Sequence, residues 1–585
     1  MKKKIILIDD RDQAIEYLKM KKEVNEFYPI TLSFEAEEIL EKNGENFCID
    51  DKYEKEILYE KLAKKAYFLA QDICEKSKIK HNGVNLVKAL TYPIYILIAS
   101  TKAKIILLNE IIKKENPEEI LVFKNKDQVV GLSTTLRILD KLFSGKTIYR
   151  DYLVKRDKIL KEKFIFKIAG ALQKIVSRIK IMSLGEKDNK IFVFGPTVIF
   201  DNLMKILVEK PQNKIIVLGN QISKSMILGK KYIPFYQLSS HEKKGIFYDK
   251  EISLLAKNLE ELSTEWIGEK TLEIIRDGIK ELLREALPKI VRWVEEFKIL
   301  CGRKKVDILL MAEDTNPFAR AVIETADLYK IPSIVFLHGL PASEVGFIPT
   351  LSTYTFVFGE KTHDYFVKNG SNKSKIIQIG CPRYDGFVEQ KKETSEKMIV
   401  YLMEIAGEGD LIPGTHLTKK NQKKALRDIF RVMKNFPEYR LILKTRPGWN
   451  MKNLPKVIAK EENFTNFEVV EKTDNVTLMN SADIVIMNYT TMGLESLLLN
   501  KPTICYSFKH LEQVNPYKDA TAIEKVFDAV SLEKAIKKNL RDSNKNSKKR
   551  VQTLKEHFVA LDNKASKRAA KFIDLLLLKK IQKRG

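Results

Sequence analysis

Short runs of apolar, often β-branched residues recur along the second half of the chain, and each run ends in polar residues or glycine. Such runs are typical of strands buried in a parallel sheet, and the segments between them carry apolar residues at helical spacing. The alternation predicts an α/β fold built from right-handed β-α-β units. The runs begin at Val306, Ile331, Tyr354, Ile376, Tyr439, Ile484 and Thr503.

The first half of the chain alternates in the same way, with longer helical blocks. Its predicted strands are Lys4–Ile8, Glu119–Phe123, Lys190–Phe194 and Lys214–Leu218. Its predicted helices occupy Tyr53–Lys78, Val84–Lys114 and 249–300. A chain of 585 residues is too long for one core, because a domain averages about 150 residues.

We therefore predict two Rossmann-like domains that face each other across a cleft. The first spans residues 1–350 and is enlarged by helical insertions. The second spans residues 351–585, and the boundary is expected near residues 345–360.

The segment from Asp483 to Ile504 reads as strand, hydroxyl-rich turn, helix and strand. In such a unit the N–H groups at the start of the helix point past the carboxyl end of the strand, where they can bind phosphate. The alternative is that the turn serves only the chain connection, as polar turns do in any β-α-β unit. We expect phosphate contacts from the hydroxyls of two threonines, close ligand or backbone approach at a glycine, and ribose contacts from a glutamate. The candidate residues are Asn488, Thr490, Thr491, Gly493 and Glu495.

Cations follow two other predicted strands. The strand that begins at Tyr439 runs into Lys444, Arg446 and Pro447, and the strand that begins at Ile376 ends in a turn with Arg383. Ligands of open α/β sheets collect at the carboxyl ends of the strands. These side chains are therefore predicted to neutralise phosphate charge.

Acidic residues and a histidine end the strands that begin at Val306 and Ile331. Glu313, Asp314 and His338 should emerge on the same rim of one sheet, since parallel strands end on the same side. A group that accepts a proton is needed at such a site, and His338 is the leading candidate for a general base. Glu313 or Asp314 would orient it or replace it.

The motifs IGCPRYD, LKTRPG and SADIVIMNYTTMGLESLLLNKPTI, in this order, resemble the C-terminal half of GT-B glycosyltransferase-like proteins. The resemblance covers about residues 305–510 and is nearest to surface-polysaccharide transferases and CDP-glycerol glycerophosphotransferases. UDP-N-acetylglucosamine 2-epimerases are further off. The glycerophosphotransferases carry a similar His-Gly dipeptide, whose His is held to be the base, and a His-Pro motif where this chain has Arg446-Pro447. The permanent cation shifts that position toward phosphate binding.

The resemblance implies a metal-independent glycosyltransferase of surface polysaccharide or glycolipid assembly. Its donor would be a nucleotide-sugar held on the second domain, its acceptor a glycan or a lipid-linked glycan held on the first, and no further cofactor would be required. A CDP-alcohol phosphotransferase, a sugar-nucleotide epimerase and a non-catalytic GT-B scaffold are the alternatives. The substitution of Arg446 for histidine argues against the phosphotransferase, and the enlarged first half argues against the compact epimerases.

The formal net charge of +26 points to an anionic partner or to a compositional excess of lysine. Residues 150–184 form a basic amphipathic stretch that suits an anionic membrane surface, and the tail 545–584 is similarly basic. Solvated helix faces are the alternative for both. Nucleic acid is not expected, because no nucleic-acid-binding motif is present.

Localisation follows from the absence of other signals. No apolar run approaches the roughly 18 residues of a membrane span. The five cysteines form no paired motif and suggest no metal site. The cytoplasm is the expected location, with peripheral contact to the inner face of the membrane.

Overall fold

The structure is a computed structural model that describes most of the chain. It describes residues 3–53, 59–125, 134–152, 176, 178–195, 199–218, 232–235, 248–259, 266–387, 396–404, 417–446, 451–543 and 545–582.

Strands and helices alternate along these residues as the apolar pattern predicts. The strands are β1 Lys4–Ile8, β2 Phe27–Thr31, β3 Cys48–Ile49, β4 Lys80–His81, β5 Val84–Asn85, β6 Glu119–Asn125, β7 Thr147–Tyr152, β8 Asn189–Phe194, β9 Asn213–Leu218, β10 Tyr232–Phe235, β11 Ile308–Met311, β12 Ser333–Phe336, β13 Tyr354–Val357, β14 Ile376–Gln378, β15 Met398–Leu402, β16 Arg440–Lys444, β17 Phe467–Val470, β18 Ile484–Met487, β19 Thr503–Tyr506 and β20 Ile523–Val526. The helices are α1 Arg11–Met20, α2 Phe34–Lys42, α3 Tyr59–Lys76, α4 Thr91–Glu115, α5 Thr134–Leu142, α6 Asp201–Leu207, α7 Asp249–Asn258, α8 Glu269–Gly302, α9 Pro317–Leu328, α10 Glu360–Lys368, α11 Lys419–Met433, α12 Leu454–Glu461, α13 Asn475–Ser481, α14 Met492–Leu498, α15 Ala529–Arg541, α16 Ser547–His557 and α17 Ala565–Gln582.

Three parallel sheets share one strand order. The first runs β3-β2-β1-β6-β7, the second β10-β9-β8-β11-β12-β13-β14, and the third β17-β16-β15-β18-β19-β20. Each sheet grows outward from its first strand in one direction and then in the other, which is the doubly wound Rossmann order. In this order the direction in which successive strands are added reverses next to the first strand. The loops on the two sides of that point lead away from each other and open a crevice for ligands. The short strands β4 and β5 form a separate antiparallel ribbon.

The predicted α/β class and the two facing Rossmann-like domains are confirmed by the second and third sheets. The chain adds a third Rossmann-like unit, because residues 4–152 form a sheet of their own in place of helical insertions alone. Its strands were hard to predict because β3 has two residues and β2 carries a proline. Proline and short length are both typical of strands near a sheet edge.

The boundary between the second and third sheets also differs from the one predicted at residue 350. Strand β13 pairs in parallel with β12, and β14 pairs with β13, so both belong to the second sheet. The third sheet begins only at β15. The boundary therefore falls between Phe387 and Met398, because backbone pairing, rather than the polar stretch near residue 350, decides which sheet a strand joins.

The C-terminal helix returns to the second sheet. In α17, Ala569, Ile573 and Leu577 are buried in one apolar cluster with Leu203 of α6 and Phe336 of β12. This face of α17 is thus covered by protein, whereas Leu575 and Leu578 of the same helix are exposed, and membrane contact by the tail stays a prediction.

Binding of residues 150–184 to an anionic membrane surface stays a prediction. Residues 150–152 belong to β7, whereas 153–175 and 177 lie outside the described residues. No helix in the described part of the chain is both long and apolar enough to cross a bilayer.

A buried ionic cluster joins the first unit to the third. The ammonium group of Lys419, at the start of α11, contacts Glu37 of α2 and lies 2.5 Å from the carboxylate of Asp50. Lys423, one turn further, lies 2.8 Å from Asp51 and 3.2 Å from Glu37. The three carboxylates raise the pKa of Lys419 well above its usual value, although burial opposes this. A charge removed from water in this way must keep its partners, so the cluster fixes how the two units meet.

Candidate functional site

His338 lies directly after β12, at the rim of the second sheet that faces the third sheet. Its Nδ1 is 3.0 Å from the main-chain oxygen of Ala312, which follows the neighbouring strand β11. A carbonyl oxygen only accepts, so Nδ1 carries the proton of the neutral ring and donates it to Ala312. The other nitrogen, Nε2, then has an unshared electron pair, and the side chain is exposed. His338 is therefore oriented as a proton acceptor.

The two carboxylates predicted near His338 differ in environment. Asp314 is buried, and its carboxylate accepts a hydrogen bond from the amide of Leu351 at 3.2 Å. Burial raises the pKa of Asp314, and nearby Arg320 partly opposes this. Glu313 is half-buried and accepts a hydrogen bond from the hydroxyl of Thr315 at 2.8 Å.

Glu313, Asp314 and His338 line one small cavity of about 20 Å³. A buried water needs about 10–15 Å³ of such space, so the cavity has room for about one water between these groups. The structure thus brings the three predicted catalytic residues together. Glu313 is the more accessible of the two carboxylates, whereas Asp314 holds the loop that carries Leu351.

The His338 loop touches the predicted phosphate turn of the third sheet. The amide of Leu340 donates a hydrogen bond to the hydroxyl oxygen of Thr491 at 3.1 Å. A Cβ on Gly339 would lie 3.0 Å from the same oxygen, so a side chain there would press on the turn. The predicted base and the predicted phosphate turn are therefore neighbours across the cleft.

Most of that turn is committed to its own packing. Asn488 is buried: its side-chain oxygen accepts a hydrogen bond from Tyr401, and its amide donates to the main-chain oxygen of Tyr506. A Cβ on Gly493 would lie 2.5 Å from Met487 and 2.8 Å from Tyr517, so these side chains occupy the space predicted for a ligand.

The main-chain amides at the start of α14 also donate their hydrogen bonds within the protein. The amide of Met492 donates to the hydroxyl of Thr490 at 3.4 Å, and the amides of Gly493 and Leu494 donate to the carbonyl oxygens of Thr490 and Thr491. Asn488, Thr490 and Gly493 therefore shape the turn, and the ligand contacts expected of them stay predictions. Thr491 is half-buried at the rim and keeps a hydroxyl proton to donate.

The two cations predicted at the end of β16 lie in different environments. The ammonium group of Lys444 donates to the main-chain oxygens of Thr445 and Glu471, each at 2.8 Å, and burial lowers its pKa. Lys444 thus holds two loops together, and its contact with phosphate remains a prediction. Arg446 is 53% exposed and lies 3.1 Å from the carboxylate of Glu404. Pro447 lies outside the described residues.

Arg383 and Glu495, predicted separately as ligand contacts, bind each other. The guanidinium of Arg383 lies 3.0 Å from Glu495, and the hydroxyl of Tyr384 donates to the same carboxylate oxygen at 3.3 Å. The second oxygen, Oε2, is buried without a hydrogen-bond partner among the described residues. Burial raises the pKa of Glu495, and Arg383 opposes this rise. Arg383 and Tyr384 thus engage one oxygen of Glu495, and the ribose contact expected of this residue stays a prediction.

The IGCPRYD turn works as a junction between units. The side-chain amide of Asn202, on α6, donates to the main-chain oxygens of Pro382 and Asp385. The carboxylate of Asp385 accepts from the amides of Ala565 and Ser566, at the start of α17, at 3.0 and 2.7 Å. Arg383 therefore has a structural role in a turn that ties α6, α14 and α17 together, and its phosphate contact stays untested.

Two features of the site escaped the sequence analysis. Glu404 pairs with Arg446 but follows β15 without any motif, and only the neighbouring position of β15 and β16 brings them together. His557 lies 66 residues of chain beyond Thr491 of the phosphate turn; it ends α16 and reaches the same cleft through the fold. No cluster of three or more metal-ligating side chains occurs among the described residues.

Residues 289–574, just under half of the chain, match the family model of UDP-N-acetylglucosamine 2-epimerases. The matched region contains both His338 and Arg446 as well as the Arg383–Glu495 pair. The resemblance to GT-B sugar-nucleotide proteins expected from the motifs is confirmed. No curated protein sequence matches the chain.

Several solved structures are similar to this chain at low identity. The UDP-GlcNAc 2-epimerase from Neisseria meningitidis bound to UDP-GlcNAc is 14% identical with a TM-score of 0.42, covering 66% of this chain and 99% of that one. Anabaena HepE in complex with UDP-glucose is 10% identical with a TM-score of 0.41, covering 66% and 99%. The wall teichoic acid polymerase TagF is 12% identical with a TM-score of 0.38, covering 71% and 96%.

Proposed function

We propose that this protein is a glycosyltransferase that moves a sugar from a nucleotide-activated donor to a hydroxyl of a glycan or lipid-linked acceptor. The observation that carries the proposal is the orientation of His338. Its Nδ1–H is held by Ala312, and its Nε2 is available at the rim that meets the phosphate turn. Transfer to a hydroxyl requires removal of a proton, and a histidine fixed in this tautomer performs that step.

The leaving nucleotide needs positive charge and hydrogen-bond donors on the opposite rim. Arg446 offers an exposed guanidinium after β16, and Thr491 offers a hydroxyl at the start of α14. A guanidinium binds phosphate oxygens through two parallel hydrogen bonds. We propose that Arg446 leaves Glu404 for the diphosphate when the donor binds, and that Thr491 donates to a second phosphate oxygen.

Donor turnover tests the proposal. The purified protein is incubated with UDP-GlcNAc or UDP-glucose, with and without octyl β-glucoside as a simple lipid-linked acceptor, and released UDP is measured. We expect UDP release that depends on the acceptor. A panel of the other nucleotide-sugars extends the test if neither of these donors binds. Absence of binding to every nucleotide would contradict the proposal and favour the scaffold.

An epimerase is the second candidate, because the family match over residues 289–574 favours it. Epimerisation at C2 breaks a carbon–hydrogen bond, whereas transfer to an acceptor does not. Incubation in D₂O therefore separates the two reactions. Deuterium at C2 of recovered UDP-GlcNAc, without release of UDP, would replace the transferase by an epimerase.

A further inference from the structure

A second cavity, which we call the His557 pocket, opens on the cleft beside the His338 loop. Its volume is about 140 Å³, and it lies between the rims of the second and third sheets. The second sheet contributes the loop after β12 and the start of α10, and the third sheet contributes the loop after β19. The side chains that line the pocket include Leu340, Pro341, Lys361, Lys518, Asp519 and His557.

His557 is the unusual member of this pocket. Its side chain is 2% exposed, and neither ring nitrogen has a hydrogen-bond partner among the described residues. A buried polar group without a partner costs about 1–3 kcal/mol, so such groups mark positions where something else supplies the partner. A neutral imidazole offers one donor and one acceptor, which suits a ligand that carries hydroxyl groups.

The position of His557 is enforced by the backbone. A Cβ on Gly359 would lie 2.6 Å from the main-chain oxygen of His557, so only glycine at position 359 lets the end of α16 approach α10 this closely. The amide of Val559 then donates to the main-chain oxygen of Phe358 at 3.0 Å. The imidazole is therefore fixed at the wall of the pocket.

Two lysines give the pocket a positive charge. Within the part of the chain that the structure describes, neither Lys361 nor Lys518 has a carboxylate within ion-pair distance, and both line the pocket. Lys361 is close enough to His557 to help burial lower its pKa to about 4, so the imidazole is neutral near pH 7. One acidic side chain, Asp519, also lines the pocket and leaves a net positive charge.

Size and position distinguish this pocket from a nucleotide site. Its volume is below the roughly 300 Å³ of a pocket for a drug-sized ligand, so it suits one ring and not a whole nucleotide. Arg446 follows β16 and the pocket loop follows β19, three strand spacings apart in the third sheet. At about 4.8 Å per spacing, the two positions are roughly 14 Å apart along the rim.

We propose that the His557 pocket binds the sugar phosphate of the acceptor. The sugar hydroxyls pair with the two ring nitrogens of His557, and the phosphate lies between Lys361 and Lys518. Leu340 and Pro341 of the His338 loop cover the ring, which places an acceptor hydroxyl beside the proposed base. The identification of the ligand as the acceptor rests on the proposed transferase function. The sugar-phosphate site itself is inferred from the pocket alone.

Calorimetric titration of the full chain tests the site with glucose 1-phosphate, octyl glucosyl phosphate, glucose, inorganic phosphate and glucuronate as probes. We expect a sugar phosphate to bind more tightly than glucose, phosphate or glucuronate. Stronger binding of the octyl compound would identify a lipid-linked source, and equal binding a free sugar phosphate. Inorganic phosphate or glucuronate that binds as tightly as the sugar phosphates would overturn the proposal.

Two variants and one control locate the binding. Lys361→Gln should weaken sugar-phosphate binding by about tenfold or more, since a charge-assisted contact is lost. His557→Phe should weaken binding of glucose 1-phosphate while leaving UDP affinity within about twofold. Lys368→Gln, at the far end of α10 and exposed, is the matched control and should bind normally.

Unchanged sugar-phosphate affinity in Lys361→Gln would overturn the proposal even if His557→Phe fails to fold. UDP titrated in parallel reports on the nucleotide site. Absence of binding to UDP and to every other nucleotide of the panel in the unaltered protein would reject the proposed transferase, whereas the sugar-phosphate result would still decide the pocket.

Discussion

The guanidinium of Arg383 lies 3.0 Å from the carboxylate of Glu495, whose side chain is 1% exposed. The pair joins the turn after β14 to α14, so it connects the second sheet to the third. Removing one partner of a buried pair leaves an uncompensated charge, which costs about 3–5 kcal/mol. We expect Arg383→Ala to lower the free energy of unfolding by about 3 kcal/mol near pH 7.5.

The loss of unfolding free energy in Arg383→Ala should depend on pH. The pKa of Glu495 is raised by burial and held down by Arg383, so it rises further in Arg383→Ala. A carboxyl with a raised pKa in the folded state destabilises the protein as pH rises through that pKa. Urea unfolding should therefore show a smaller loss at pH 5 than at pH 7.5, and Glu495→Gln should rescue the variant at pH 7.5. An equal loss at both pH values would contradict the assignment.

His338→Ala should lower turnover by roughly two to four orders of magnitude, the usual contribution of a general base. UDP affinity should be unchanged, because the nucleotide is expected on the opposite rim. His510→Ala, an exposed histidine after β19, is the control. Turnover, UDP affinity and melting temperature are measured on each variant. Near-normal turnover in His338→Ala would remove it as the base, and a parallel loss of stability and activity would make it a structural residue.

Arg446→Ala should weaken UDP binding by about 1.5–3 kcal/mol, the contribution of a hydrogen bond to a charged group. Its stability should change by less than about 1 kcal/mol, because the pair with Glu404 is half exposed. Arg440→Ala is a matched control at the opposite end of the same strand, where the side chain pairs with Glu468. Equal UDP affinities in both variants would exclude Arg446 from the nucleotide site.

Lys419→Met should release the first unit from the third. The substitution leaves the carboxylates of Glu37, Asp50 and Asp51 together without their main cation, so we expect a loss of about 3–5 kcal/mol. Limited proteolysis should then cleave between the two units sooner than in the unaltered protein. Lys420→Met changes an exposed lysine on the same helix and should have little effect. Matching digestion rates in the two variants would refute the role of the cluster.

His557 should make the protein less stable in mild acid. Burial and Lys361 lower its pKa from 6.5 to about 4, so the unfolded chain binds a proton between these values that the folded chain does not. Stability from this group is therefore present above pH 6.5 and lost as pH falls toward 4, by about 3 kcal/mol. The dependence of unfolding free energy on pH should be shallower in His557→Phe. An unchanged dependence would show that His557 is not held neutral.

The sequence determined the local elements of the second and third sheets. The strands Ile484–Met487 and Thr503–Tyr506 begin at the residues that the apolar pattern predicts, and helices follow at the predicted places between strands. They do so because a strand buried on both faces must be apolar throughout, and a helix on a sheet must be apolar on one side. His338, Glu313 and Asp314 could be placed at one rim for the same reason.

The tertiary structure alone decided which polar side chains remain available to a ligand. Lys444, Asn488 and Glu495 read as binding residues in the sequence, yet each contacts groups that lie elsewhere along the chain. Partners such as Tyr506 or Arg383 cannot be identified from spacing, because only the packing of one element on another brings them within hydrogen-bond distance. The His557 pocket arises in the same way, from four segments of the chain that only the fold brings together.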